Sequence, residues 1–227
     1  SIDMNGVNSY KDGVITKLHK GLQGLVKSRS ITYVEGYGKL VSRDTVEVNG
    51  VRYTGKNIIL ATGSYARTLP GLDIDGKRVI TSDHGTKLDY IPKSVIVLGG
   101  GVIGCEFASV WKSFGSEVTI IEGLPHLIAL EDESSSKLLE RAYRKRKINF
   151  ELGVRFKSHT VTADGVTVEL EDGRTFSAEL LLVSVGRGPV SANLGYEEQG
   201  ITMDRGYVIV DDKCRTSVPG IWAVGDL

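Results

Sequence analysis

The sequence predicts an α/β fold built around a parallel β-α-β unit, and three observations lead there. First, an apolar run, Ser94-Val-Ile-Val-Leu98, leads into Gly99-Gly-Gly-Val-Ile-Gly104, which opens an amphipathic run from Val102 to Phe114. Second, the next apolar run, Val118-Thr-Ile-Ile121, ends in Glu122, eighteen residues after Gly104. Third, two further apolar runs end in similar small-residue turns, Ala61-Thr-Gly-Ser64 and Ala223-Val-Gly-Asp226. The first two together read as strand, glycine turn, helix, strand and an acid at the strand tip.

The elements follow in order. Residues 9–29 read as a helix, because Val14, Leu18, Leu22, Leu25 and Val26 recur at three- and four-residue spacing. Gly21 and Gly24 weaken it. Short β runs come next: Ile31 to Glu35, Lys39 to Val41, Thr45 to Val48 and Val51 to Thr54, with the hairpin signal Asn49-Gly50 between the last two. Lys56 to Leu60 is an apolar strand. Residues 65–91 are loop-rich, punctuated by Pro70-Gly71, Asp75-Gly76 and Pro92, and read as a domain crossing.

Residues 92 to about 150 repeat the pattern as β-α-β-α-β. The second helix, about Asp132 to Lys145, has acids at its start and bases at its end, as the helix dipole favours. A short strand, Ile148 to Phe150, follows. Phe156 to Val161, Val166 to Leu170 and Thr175 to Ser177 read as antiparallel strands turned by Asp164-Gly165 and Asp172-Gly173. Leu180 to Val185 is a buried strand ending at Gly186-Arg187. A last β pair, Tyr207 to Val210 with Ile221 to Val224, completes the set.

The glycine turn carries the chemistry. Gly99 permits the tight turn, Gly101 lets backbone approach a pyrophosphate, and Gly104 lets helix and strand pack closely. Amides at the helix start then face two phosphates, aided by the helix dipole. Glu122 accepts hydrogen bonds from ribose hydroxyls, and its charge repels a 2′-phosphate, so NAD is favoured over NADP. This makes residues 92–190 a Rossmann-like dinucleotide-binding domain.

The 28 basic residues match the 28 acidic ones, so no net field recruits nucleic acid or an anionic membrane. No apolar run has the length to span a bilayer and no signal-peptide pattern opens the chain. A cytoplasmic setting is the expectation. Cys105 and Cys214 are too few for a secreted disulfide scaffold. Cys105 reads as a buried, inert thiol after the close-packing Gly104. His19, His84, His126 and His159 lack metal-ligand spacing, so no metal is expected. His126 reads as a solvated loop residue or a lining of the adenosine end. Glu106, placed in the first turn of the glycine-loop helix, has two readings: an acid stabilised by the dipole, or an acid facing a nicotinamide ring and its redox partner. Tyr143 and Lys147 have the Tyr-x-x-x-Lys spacing of a dehydrogenase pair, but sit in a helix-terminal charge run that reads as a solvated basic face.

Five blocks give the chain a family resemblance: Glu35-Gly-Tyr-Gly-Lys-Leu40, Ile58-Ile-Leu-Ala-Thr-Gly-Ser64, Val97 to Glu106, Val185-Gly-Arg187, and Thr216 to Asp226. In order and spacing the chain resembles the flavoprotein disulfide reductases, most of all the dihydrolipoamide dehydrogenase branch. Phe107-Ala-Ser-Val-Trp111 and Glu122 point to that branch rather than to the NADP-using glutathione reductases. The resemblance implies a Rossmann-like NAD-binding domain (92–190) inserted in a partial FAD-binding domain (1–91), with 191–227 returning to the flavin side. It implies that Gly99, Gly100, Gly101, Val102, Ile103, Gly104 and Glu106 cradle NAD, Glu122 takes its adenosine ribose, Phe156 lies beside the adenine where the family often has valine, and Gly186 meets the nicotinamide end. Gly38, Thr62, Gly63, Ser64 and Asp226 would touch FAD. Val190 replaces a polar residue common after the Gly-Arg-x-Pro turn. Glu106 is the one candidate catalytic residue.

The implied reaction passes electrons from dihydrolipoamide through a redox disulfide and FAD, then as hydride to NAD. The alternatives are another member of the group (mycothione or mercuric reductase, NADH oxidase or transhydrogenase) or a free-standing nucleotide-binding module. The implied partners are a lipoyl substrate, the E2 component of a 2-oxo acid dehydrogenase complex and a second copy in a homodimer, in the cytoplasm or the mitochondrial matrix. The family's first FAD glycine fingerprint, its redox-cysteine segment and its C-terminal dimer domain with the His-Glu pair have no counterpart here. The expectation is therefore a central piece of a longer chain, inactive by itself.

Overall fold

The computed structural model describes residues 2–227. In chain order its elements are α1 (Met4–Ser28), β1 (Gly38–Ser42), β2 (Thr45–Val48), β3 (Val51–Thr54), β4 (Ile58–Leu60), β5 (Ser64–Ala66), β6 (Val79–Ile80), α2 (Ser82–Gly85), β7 (Ser94–Leu98), α3 (Val102–Phe114) and β8 (Glu117–Ile121). There follow α4 (Glu133–Lys145), β9 (Asn149–Glu151), β10 (Phe156–Val161), β11 (Val166–Leu170), β12 (Thr175–Ala178), β13 (Leu180–Val183), β14 (Arg187–Pro189), β15 (Met203–Asp204), β16 (Tyr207–Val208) and β17 (Ile221–Ala223). The chain divides into two compact units. One comprises the chain up to Val14 together with Ala66–Gly186; the other comprises Ile15–Tyr65 and Arg187–Leu227.

The first unit is three-layered. Its central sheet has the strand order β6-β13-β7-β8-β9, parallel at every pairing. The pleat sends alternate residues to opposite faces. Val95 and Val97 pack with Ala108, Trp111 and Tyr143 from α3 and α4, while Ile96 and Leu98 pack with Val166, Val168 and Leu170 from the antiparallel β10-β11-β12 sheet. Burial on both faces explains why these strands read as unbroken apolar runs. Gly115, at φ 104°, closes α3 in the left-handed conformation that glycine reaches without strain.

In the second unit, β1, β2 and β3 form an antiparallel meander, and β4 pairs in parallel with β17. Asn49 and Gly50 both have positive φ, 52° and 79°, as a type I′ hairpin turn demands. Leu40, Leu60, Leu194, Tyr196, Ile201 and Ile221 belong to its core.

Four sequence expectations need correction. The first helix starts at Met4, not residue 9, because the Asp3 carboxylate accepts the Asn5 amide (3.0 Å) and caps it. Ile31 to Glu35 forms no strand; the segment is exposed, and the Asn49 side-chain amide ties down the Glu35 carbonyl (3.0 Å). The loop-rich stretch contains β6 and α2, both too short to announce themselves by periodicity. The last two strands do not pair with each other: β16 pairs with β15, and β17 with β4.

Candidate functional site

The glycine turn sits at the carboxyl edge of the parallel sheet, where open α/β sheets take ligands. Gly99 has φ 104°, and its amide donates to the Ile121 carbonyl (2.8 Å), pinning the turn to the neighbouring strand. A β-carbon at Gly104 would lie 2.7 Å from Ser184 Oγ, 3.0 Å from Val97 Cγ1 and closer still to the Gly99 carbonyl oxygen, so only glycine fits there. At Gly101, the cap of α3, a β-carbon would meet nothing within 4 Å. The glycines therefore divide the work: Gly104 seats the helix on the sheet, and Gly101 leaves backbone open to an approaching group. The first intrahelical bond runs from the Cys105 amide to the Gly101 carbonyl (3.0 Å), which leaves the amides of Val102 to Gly104 at the positive end of the helix dipole.

Glu122 stands at the tip of β8. One carboxylate oxygen accepts the Gly100 amide (2.5 Å) and the other the Leu124 amide (2.8 Å). Gly100 is itself crowded: a β-carbon there would lie 2.6 Å from Leu127 Cδ2 and 3.2 Å from Glu122 Oε2. The fingerprint pattern leaves that position unrestricted, yet here it helps to hold the acid in place. Gly99, Gly101, Val102, Ile103, Glu122, Phe156 and Gly186 all line one cavity of about 630 Å³. Gly100 and Gly104 support its floor without lining it. Gly186 has φ 110° and open space where a β-carbon would be. The glycine cradle, the open amides and the strand-tip acid fit a dinucleotide.

Glu106 is placed elsewhere. Because α3 begins at Val102, the residue lies in its second turn, not its first, and a first-turn acid is absent from this helix. It is exposed and lines a separate groove of about 930 Å³ between α3 and α4, with Val102, Ser109 and Tyr143.

The flavin-side candidates lie in the second unit. Thr62 Oγ1 donates to the Val190 carbonyl (2.5 Å) and receives Tyr196 OH (3.3 Å). Ser64 Oγ donates to Asp226 (3.4 Å) and receives Arg187 Nε (2.7 Å), while Arg187 Nη2 donates to the Ser64 carbonyl (2.6 Å). Gly63 has φ 69° with nothing near its missing β-carbon. Thr62, Gly63, Ser64 and Asp226 thus share one turn-lined corner. The motif Val185-Gly-Arg187 braces this corner through its arginine, a role its sequence did not disclose. Gly38 sits in the meander, paired with Val48.

Burial sets the chemistry of Cys105 and Tyr143. Cys105 is buried and its thiol donates to the Gly100 carbonyl (3.3 Å); burial pushes it up to about 11, so it stays protonated and inert. Tyr143 OH donates to the Cys105 carbonyl (2.6 Å), and burial raises the phenol well above its ordinary range. That hydroxyl is a packing element of the α3–α4 contact. Cys214 is exposed. His126 meets Ser136 Oγ (3.3 Å) beside the loop after Glu122. Among the described residues, no group of His, Cys, Asp or Glu could hold a metal ion, and no helix is long and apolar enough to cross a membrane.

Ser184 and Arg155 are among the cavity-wall residues that the sequence did not mark as site candidates. Ser184 lines the cavity and donates to the carbonyls of Leu98 and Gly99 (3.0 Å each), bracing the turn. Arg155 lines it too, next to Val154, whose amide donates to the Glu122 carbonyl (3.1 Å). Both sit one residue from positions that were singled out or at a strand end, where no periodic pattern marks them.

A parallel sheet with a glycine turn at its carboxyl edge, extended by a second unit with its own strand-turn corner, defines the class: a FAD/NAD(P)-binding α/β fold. Comparison with known proteins narrows this. Residues 3–227 match the family described as pyridine nucleotide-disulphide oxidoreductase, and the chain belongs to that family. It is 39% identical over its full length to a dihydrolipoyl dehydrogenase of Cupriavidus necator, covering 50% of that protein. It is 40% identical to a dihydrolipoamide dehydrogenase of Chaetomium thermophilum, with 99% of this chain and 47% of the relative aligned. Among solved structures, LpdA from Mycobacterium tuberculosis superposes with a TM-score of 0.91 at 28% identity, over 100% of this chain and 52% of that one. RclA, a HOCl-induced flavoprotein disulfide reductase from Escherichia coli, gives 0.86 at 28% identity, over 96% and 51%. The chain spans about half the length of the curated relatives it matches.

Proposed function

We propose that this chain is the NAD-binding portion, with part of the flavin wall, of a dihydrolipoyl dehydrogenase. The observation that carries the reading is the Glu122 carboxylate, held at the strand tip by two backbone amides on the rim of the cavity that the glycine turn floors. The turn from Gly99 to Gly104, with the amides of Val102 and Ile103, would hold the pyrophosphate. Glu122 would take the adenosine ribose, Phe156 would lie beside the adenine and Gly186 at the nicotinamide end. Thr62, Gly63, Ser64 and Asp226, with Gly38, would touch FAD. Relatives named dihydrolipoyl dehydrogenase at 35–39% identity support the choice within the family.

When bound, the two cofactors supply the redox chemistry of oxidising dihydrolipoamide and reducing NAD. This chain's residues bind and orient: a carboxylate selects an unphosphorylated ribose, helix amides neutralise phosphate charge, and apolar walls at Leu98, Ile121 and Val185 exclude water. Glu106 lines the α3–α4 groove, which shares Val102 with the cavity, and is proposed to meet the nicotinamide and flavin from that side. The parent would act on a lipoyl substrate as a homodimer, with an E2 component as its partner.

Calorimetry with NAD and NADP tests the reading. NAD should bind more tightly by at least about tenfold, because a 2′-phosphate placed against Glu122 sets like charges together. Glu122→Gln should narrow that gap. Equal affinities, or no binding of either, would refute it. With reduced lipoamide the 227-residue chain alone should give no turnover; a rate like that of a full-length relative would contradict the assignment.

A further inference from the structure

Resting on the dinucleotide reading above, the structure also points to what recognises the ligand's far end. Among the described residues that line the cavity, Arg155 is the one cation. Its guanidinium makes no hydrogen bond and no ion pair with any described residue, although Glu122 and Glu171 line the same cavity. Most arginines elsewhere in this unit are engaged: Arg78, Arg144, Arg146 and Arg174 each hold a partner. An uncommitted guanidinium in a cavity wall is available to a ligand.

Its place in the fold says which part of the ligand. The segment before β10 is laced to the residues beyond the tip of β8: the Gly153 amide donates to the Leu124 carbonyl (2.9 Å) and the Val154 amide to the Glu122 carbonyl (3.1 Å). The Arg155 carbonyl in turn accepts the Glu171 amide (2.9 Å), which fixes the residue from its other side. The pyrophosphate belongs to the start of α3 and the ribose to Glu122, so the group one bond further along, the purine, falls against this segment. An adenine ring offers a flat π face with no charge. A guanidinium is planar, weakly hydrated and stacks on such faces, whereas an ammonium does so less well.

We propose that Arg155 is the purine-binding residue of this cavity, its guanidinium lying over the adenine of the bound dinucleotide, with Phe156 next in sequence at the edge of the same wall.

The test is calorimetric titration of the 227-residue chain and of Arg155→Met with NAD, ADP and nicotinamide mononucleotide. Methionine keeps length and apolar bulk without charge or planarity, and the exposed position leaves folding intact, which a melting curve verifies. Arg155→Met should weaken NAD and ADP by the same factor, about two- to thirtyfold. Nicotinamide mononucleotide should be unaffected, and Arg155→Lys should recover part of the loss. Unchanged NAD affinity in Arg155→Met overturns the proposal, as does an equal loss for the mononucleotide, which would mark a general charge effect. If the wild-type chain binds NAD while Arg155→Met changes nothing, this inference alone fails. If the wild-type chain binds no NAD, the dinucleotide reading beneath it fails.

Discussion

Replacing Gly104 with alanine separates the two jobs of the glycine turn. The added methyl would lie 2.7 Å from Ser184 Oγ and 3.0 Å from Val97 Cγ1, with the Gly99 carbonyl oxygen nearer than either. None of these can step aside freely. Gly99 is pinned by its amide to Ile121, Ser184 spends its hydroxyl on two strand-end carbonyls, and Val97 is fully buried. Opening the serine contact to the ~3.3 Å of a close carbon–oxygen approach moves the helix start by upward of ~0.6 Å. Overpacking of this kind costs about 1–3 kcal/mol, offset by up to about 1 kcal/mol because alanine is the better helix former. Taking the middle of that range, about 2 kcal/mol, the net loss is about 1–2 kcal/mol and lowers Tm by about 2–8 °C in a chain of this size. Differential scanning calorimetry reads the first effect and NAD titration the second, since the displaced amides would no longer meet the two phosphates they are proposed to hold. Gly101→Ala is the control. Its methyl enters open space, so Tm should hold while the methyl occupies the approach of the pyrophosphate and NAD affinity falls. An unchanged Tm for Gly104→Ala, or a Tm loss for Gly101→Ala matching it, would refute the division of labour.

Two further outcomes follow from the packing of the first unit. Burial alone would raise the Asp75 carboxyl, but the amides of Lys77, Val79 and Arg78 all donate to it (2.7–2.8 Å) and hold it below its ordinary value. A depressed folded value means its stabilisation is present above the unfolded value and lost as pH falls through the folded one, so urea midpoints should drop below about pH 4; Asp75→Asn should flatten that acid limb, and an identical limb would exclude Asp75 as its source. Thiol titration of the native chain with an aromatic disulfide at pH 8 should consume one cysteine, exposed Cys214, and a second only after denaturation, because burial holds Cys105 protonated; two fast native thiols would contradict that.

The parts legible in the sequence are those where local rules and tertiary demands agree. The α3 boundaries could be read because Gly101 and Gly115 punctuate a helix whose apolar face meets a sheet. The β2–β3 hairpin could be read because Asn49-Gly50 accepts positive φ at both turn positions. The place of the glycine turn between β7 and α3, and of Glu122 at the tip of β8, could be read because apolar runs of strand and helix length bracket them. The rest depended on partners distant in sequence. Tyr207 to Val210 and Ile221 to Val224 resemble a hairpin locally, but β17 finds its partner in β4, a pairing that no local pattern encodes. Glu106 looked like a first-turn acid until the cap at Gly101 set the helix phase and turned it into the α3–α4 groove. Arg155 carried no signal, since its meaning comes from lacking a partner in a cavity wall. The helix α1 is the opposite case: its apolar stripe, Val14, Leu18, Leu22 and Leu25, is real, yet all four residues are exposed in this chain.

The most direct measurement is a crystal structure of the chain grown with NAD. Density for the pyrophosphate should lie against the amides of Val102 and Ile103, with the adenosine ribose hydroxyls on the Glu122 carboxylate. Nucleotide bound elsewhere, or a Glu122 turned away from the sugar, would contradict the account.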